Sequence, residues 1–182
     1  MGLDLRQVSR AISFALRHEP WLYELELDEQ GWTSVDELLS ALRNERKAWR
    51  DLNEDDLARM IATSTKRRHE IDNGRIRALY GHSIPGKLSK SPAAPPEILF
   101  HGTAPGALAS IRESGLQPMR RQYVHLSADE ATAVQVGSRK ADQPVILRIL
   151  ARQAYADGVP FYKGNEQVWL ADHVPPEHIE GL

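Results

Sequence analysis

Apolar residues recur at helical spacing from the start of the chain. Leu5, Val8, Ile12 and Leu16, with Ala11 and Ala15 on the same face, predict an amphipathic helix over residues 3–16. Pro20 disfavours the helical region for Glu19, so this helix should end near there. Ser34 and Glu37 have capping-box spacing ahead of the apolar face Val35, Leu38, Leu39 and Leu42. Asn53 caps a third expected helix, with Glu54, Asp55 and Asp56 in its first turn and Leu57, Met60 and Ile61 on one face. His69–Ile71 and Arg75–Leu79 then alternate polar and apolar positions around Asp72-Asn73-Gly74, a strong hairpin signal. Three helices and a two-stranded wing describe a winged helix over residues 1–80.

The character changes over residues 81–96, where Pro85, Gly86, Ser89, Ser91, Pro92, Pro95 and Pro96 cluster with few large apolar residues. This stretch reads as an interdomain linker, semi-rigid toward its proline-rich end. From residue 97, short strands alternate with short helices. Ile98-Leu99-Phe100 runs as a strand into His101-Gly102-Thr103, and a helix over residues 106–114 stops at Gly115. Tyr123–Leu126 is a strand, and Ser127 is read as the cap of a helix reaching Val136. Residues 145–150 look like the most buried strand, and residues 167–170 form another. The fold class expected is α+β.

Composition narrows the possibilities. The 182 residues suit one domain or two small ones. Without cysteine, disulfides and thiolate metal sites are excluded. No apolar run at the start suggests a signal peptide or membrane span, so a cytoplasmic protein is expected. The net charge of −2 does not advertise nucleic-acid binding. Local charge says more: Lys66, Arg67, Arg68, Arg75 and Arg77 lie close together against only Glu70 and Asp72. Such a patch suits a phosphate backbone, or equally a solvated hairpin face.

The candidate chemistry begins with Arg17-His18 at the first helix end. A guanidinium fork fits a phosphate, and a histidine can donate a proton or hydrogen bond to the same group. The helix dipole alone also favours cations there. Arg68 and Arg121 are two further arginines in unusual surroundings; if all four groups converged, they would form a site for a phosphate dianion. Neither a nucleotide P-loop, a Gly-x-Gly-x-x-Gly turn nor a His-Glu-x-x-His pair occurs in the second half. His101 and His125, expected at strand ends, are poor zinc candidates, and no metal is expected. Small or hydroxyl neighbours in His101-Gly102-Thr103 and His125-Leu126-Ser127 make a bound ligand plausible, with Gly102 allowing close backbone approach and Thr103 and Ser127 offering hydroxyls.

The chain resembles the NAD-dependent RNA (tRNA) 2'-phosphotransferases, in order and over nearly its whole length. The matching segments are Leu16-Arg17-His18, Leu27-Asp28-Glu29-Gln30-Gly31-Trp32 and Lys66-Arg67-Arg68 before Glu70-Ile71, similar to the family's Lys-x-Arg-Phe. Ile76-Arg77-Ala78 with Gly81-His82-Ser83, His101-Gly102-Thr103, Arg121–Ser127 and Val174-Pro175-Pro176 follow. Each is weak alone; together they are specific. The resemblance implies an N-terminal winged-helix RNA lobe and a C-terminal ADP-ribosyltransferase-like lobe over residues 97–182. It implies removal of an internal RNA 2'-monophosphate left at a splice junction. The 2'-phosphate attacks C1'' of the NAD ribose and nicotinamide leaves, giving an ADP-ribosylated 2'-phospho-RNA. The 2''-hydroxyl then attacks phosphorus, yielding 2'-OH RNA and ADP-ribose 1'',2''-cyclic phosphate.

By motif, Arg17, His18, Arg68 and Arg121 are carried over to the 2'-phosphate, with His18 a candidate proton donor to the departing RNA 2'-oxygen. By analogy with an oxyanion donor, each arginine would supply roughly 3 kcal/mol. His101, Gly102, Thr103, His125, Leu126 and Ser127 are carried over as NAD contacts, and Arg139 as a contact to the nucleotide or phosphate. The partners implied are NAD, consumed as co-substrate, and a tRNA-like RNA, with a monomeric protein. Two departures stand out: Leu79-Tyr80 replaces a common Asn-Gln, and Asn165-Glu166-Gln167 replaces a common Asn-Gly. Glu166 is either a surface turn residue or an acceptor-activating glutamate. Competing readings are an ADP-ribosyltransferase that leaves ADP-ribose on RNA or protein, and a nonenzymatic winged-helix binder.

Overall fold

The computed structural model describes residues 2–84, 91–119, 121–164 and 166–182. The chain divides into two compact units, Met1–Ile84 and Pro85–Leu182. The class is α+β, with helices packed on antiparallel sheets.

In the first unit, α1 (Leu5–Arg17) starts where the Asp4 carboxylate accepts from the Arg6 and Gln7 amides. It buries Val8, Ile12, Ala15 and Leu16. A short 3₁₀ turn, Pro20–Tyr23, follows. Strand β1 (Thr33–Ser34) leads into α2 (Val35–Glu45), whose first turn is capped by the Ser34 hydroxyl accepting from the Glu37 amide at 3.3 Å. Helix α3 (Glu54–Thr63) carries a full capping box: Asn53 Oδ1 accepts from Asp56 N, and Asp56 Oδ2 accepts from Asn53 N, both at 3.1 Å.

Strands β2 (His69–Asp72) and β3 (Arg75–Ala78) form the hairpin read from Asn-Gly. Both Asn73 and Gly74 have positive φ, +48° and +71°, the geometry a tight two-residue turn of this hand requires. The wing has a third strand, because β1 pairs with β3, giving the order β1-β3-β2. Val8, Ile12, Leu16, Leu38, Leu42, Leu57 and Ile76 make up its centre, none more than 1% exposed.

The stretch read as a linker contributes to both units. Ser83 N donates to Arg17 O at 2.9 Å in the first, and Ser91–Pro92 form β4 at the edge of the second unit's sheet. Residues 85–90 lie outside the described residues.

The second unit is a seven-stranded sheet built from antiparallel pairs, in the order β10-β7-β5-β6-β9-β8-β4. Its strands are β5 (Leu99–Thr103), β6 (Val124–Ser127), β7 (Val145–Ile149), β8 (Phe161–Lys163), β9 (Val168–Ala171) and β10 (Ile179–Glu180), besides β4. Helices α4 (Leu108–Ser114), α5 (Glu130–Ser138) and α6 (Ala151–Ala156) connect them. Leu99, Leu126, Leu147, Ile149, Phe161 and Trp169 anchor the core.

Three expectations are corrected. His101, Gly102 and Thr103 lie within β5, and His125 within β6, so these histidines do not sit at strand ends. Ser127 is the last residue of β6; the cap of α5 is Asp129, whose carboxylate accepts from the Thr132 amide at 2.7 Å. Strands β6 and β9 are buried at every position, whereas β7 exposes Arg148.

Candidate functional site

Three of the four residues assigned to a phosphate lie in the first unit, and the structure brings them together. Arg17, His18 and Arg68 line one cavity of about 970 Å³. Arg17 is the last residue of α1, so its side chain leaves the packed layer as the helix ends. Its guanidinium carbon lies 5.0 Å from the centre of the Tyr80 ring, and its side chain packs beside Gly81. Nε and Nη2 of Arg17 are buried without a hydrogen-bond partner. Two buried guanidinium donors aimed at no acceptor are costly unless an anion completes the site. The ring of His18 is held through Nδ1, which shares a hydrogen bond of 2.5 Å with Ser83 Oγ. Arg68 donates from Nη1 to Ser64 Oγ at 3.1 Å, just beyond α3.

Sequence reasoning passed over the residues that support these three. His69 is only 2% exposed, and its Nε2 shares a hydrogen bond of 3.0 Å with Ser13 Oγ. Burial, then the positive charges of Arg17 and Arg68, push His69 down to about 4. Burial, Arg17 and His18 likewise lower His82. Burial comes first for both histidines, and the charges that add to it, on Arg17, Arg68 and His18, are all positive. For His82 and Ser83 the signal was Gly81-His82-Ser83, named among the segments that carry the resemblance but given no role there: a polar triplet directly after the hairpin, where the chain returns to α1.

The hairpin patch is largely neutralised. Arg75 pairs with Asp28 at 3.0 Å, and Glu70 takes both Arg77, at 2.5 Å, and Arg67, at 3.6 Å. Arg75 and Arg77 also lie over the Trp32 ring. Of the five clustered cations, three are thus paired to carboxylates, and the patch reads mainly as a braced hairpin face.

In the second unit, His101 Nδ1 donates to the carbonyl of His125 at 2.9 Å. A carbonyl can only accept, so Nδ1 carries the proton in this bond. Thr103, His125 and Ser127 are buried polar residues on the adjacent strands β5 and β6. The helix packed on β5 by itself requires glycine at position 102. A Cβ there would stand 2.2 Å from the Ala133 carbonyl of α5 and 2.8 Å from Gly137 Cα. The Gly102 carbonyl accepts from Lys140 Nζ at 2.9 Å. The Leu126 side chain belongs to the core. Arg139 closes α5, with Nη1 donating to the Gln135 carbonyl at 3.1 Å. Arg121 stands half-buried in the turn before β6, its amide bonded to Pro118 O. Glu166 is 91% exposed and pairs with Lys163 at 3.0 Å; Asn165 lies outside the described residues. Among the described residues, no group of three or more His, Cys, Asp or Glu could hold a metal ion. No helix there is long and apolar enough to cross a membrane.

A half-buried cluster of two arginines and a histidine on a small α+β chain has the chemistry to hold an anion, and comparison with known proteins shows the family. Residues 4–173 match the family model "RNA 2'-phosphotransferase, Tpt1 / KptA family". A protein of Acetivibrio thermocellus is 51% identical over 177 residues, covering 97% of each chain. One of Bacillus thuringiensis subsp. konkukian is 55% identical over 172 residues, covering 94% of this chain and 92% of its own. One of Rhodopirellula baltica is 43% identical over 179 residues, covering 97% and 95%. All three carry the name "Probable RNA 2'-phosphotransferase". The chain belongs to the RNA 2'-phosphotransferase family.

Proposed function

We propose that this chain removes an internal 2'-monophosphate from RNA by transferring it to NAD, giving 2'-hydroxyl RNA, ADP-ribose 1'',2''-cyclic phosphate and nicotinamide. The observation that carries the reading is the pair of buried, unpartnered guanidinium donors on Arg17, set beside Arg68 and His18 in one cavity. A phosphate dianion supplies the acceptors those donors lack.

NAD supplies the electrophilic ribose carbon and its leaving group. The protein's part is positioning and charge. A 2'-phosphate is already anionic at neutral pH, so its attack on the ribose needs alignment and no general base. Arg17 and Arg68 hold its non-bridging oxygens, and Arg121 is assigned to the same phosphate by its motif alone. They stabilise the charge that builds there when the 2''-hydroxyl attacks phosphorus. His18, oriented by Ser83, delivers a proton to the departing RNA 2'-oxygen. His101, Thr103, His125, Ser127 and Arg139 hold NAD through side chains, and Gly102 and Leu126 through the backbone. The grouping of buried polar residues on β5 and β6 supports this assignment, since it places hydroxyl and imidazole groups on adjacent strands. In this reading residues 1–80 are a winged-helix RNA lobe and residues 97–182 an ADP-ribosyltransferase-like lobe.

The test follows a labelled 2'-phosphate on an oligonucleotide with and without NAD. The label should leave the RNA only with NAD and appear in a small cyclic phosphate, with one nicotinamide released per phosphate removed. Label that stays on RNA while ADP-ribose accumulates there would identify an ADP-ribosyltransferase instead. Absence of nicotinamide release at any substrate concentration would identify a nonenzymatic binder.

A further inference from the structure

The cavity at Arg17 extends well past the phosphate cluster. It continues along the outer face of α1 to the start of that helix, lined by Arg6, Arg10 and Ser13 on one side and by Ser64 and Thr65 beyond α3 on the other. Arg6, Arg10, Ser13 and Arg17 recur at steps of four, three and four, so they form one row opposite the buried Val8, Ile12, Ala15 and Leu16. At the rise of an α-helix the row is ~16 Å long, a length that a few nucleotides span.

Its electrostatics set it apart from the hairpin. Arg6 and Arg10 are exposed, and among the described residues neither guanidinium has an ion-pair partner. Asp4, an acidic group on the lining, is engaged in capping α1. The hairpin cations, by contrast, are held by Asp28 and Glu70. An unneutralised row of guanidinium groups facing hydroxyls suits a polyanion gripped through its backbone, without reading its bases.

We propose that a single RNA strand lies along α1, with Arg10 and then Arg6 taking successive backbone phosphates on one side of the nucleotide whose 2'-phosphate reaches Arg17. This rests on the phosphotransferase reading for what occupies Arg17, but not for the row itself. The hairpin face is then not the main RNA track.

Binding without NAD tests it. A labelled single-stranded oligonucleotide with several nucleotides on both sides of one 2'-phosphate is titrated at a series of salt concentrations. Arg6→Ala/Arg10→Ala should weaken binding severalfold and reduce the slope of log K against log salt by about 1.4, two phosphate contacts on a single strand. Arg6→Lys/Arg10→Lys should restore the slope, and Arg75→Ala/Arg77→Ala should leave it unchanged. A dinucleotide carrying a 2'-phosphate should bind the alanine variant as well as the wild type. An unchanged slope in the Arg6/Arg10 alanine variant, or a loss that appears only in the hairpin variant, overturns the proposal. So does equal weakening on the dinucleotide, which would place the damage at the 2'-phosphate itself. Failure of the phosphotransfer reading would show in the label-transfer assay and leave these slopes untouched.

Discussion

His69 occupies the position after Arg68, where the resembling family carries phenylalanine, and it is buried between two guanidinium groups. The consequence is a pH term in stability. The unfolded chain binds a proton on this imidazole near pH 6.5, the folded chain only near pH 4. Between these values protons favour the unfolded state. Stability is therefore complete above pH 6.5 and declines as pH falls toward 4, by up to about 3 kcal/mol from this residue. His69→Phe should remove that term, so its urea midpoint should fall less between pH 7 and pH 4.5 than the wild type's. Equal declines would mean that His69 is not held neutral by its neighbours. None of this was legible from the chain: His69 reads as a strand residue, and only burial beside Arg17 and Arg68 gives it a shifted proton affinity. The helix-end place of Arg17 and His18 was legible from the apolar spacing and Pro20, whereas Arg68 was singled out by motif order alone.

At the scale of elements, the second unit depends on α5 lying close against β5. Gly102 sets that distance, since a methyl group there would collide with the helix backbone. Gly102→Ala should cost about 1–3 kcal/mol in denaturant unfolding, as overpacking does. Gly106→Ala, where nothing stands within 4 Å of the new Cβ, should be close to neutral. Similar losses at both positions would remove the packing explanation. Helices α1, α2 and α3 and the Asn73-Gly74 hairpin could be read directly, because each carries its own local signal in periodicity, cap or turn. Strands β4, β8 and β10 could not. They are two or three residues long, and their pairing is decided by the sheet rather than by local alternation. Ser127 misled for a related reason: the residue looked like a cap, but β6 runs through it and Asp129 two residues later takes that role.

For the whole molecule, a net charge of −2 means that attraction for RNA is local. It comes from the outer face of α1 and the cluster at its end, while the hairpin spends its cations on carboxylates of the same unit. The family and the α+β class were readable from motif order and patterning. The neutralised hairpin was not, since it depends on which side chains meet in space; the row on α1 is spelled by its own spacing, and only the cavity along it needed the structure. The central claim is that the Arg17, His18 and Arg68 cluster recognises one extra phosphate. It is tested most directly by comparing two oligonucleotides identical except for a 2'-phosphate or a 2'-hydroxyl at one nucleotide. Wild type should prefer the phosphorylated strand by about tenfold or more, as charge-assisted hydrogen bonds to a dianion require, and Arg17→Ala or Arg68→Ala should abolish most of that preference. A preference that survives intact in both variants would contradict the account.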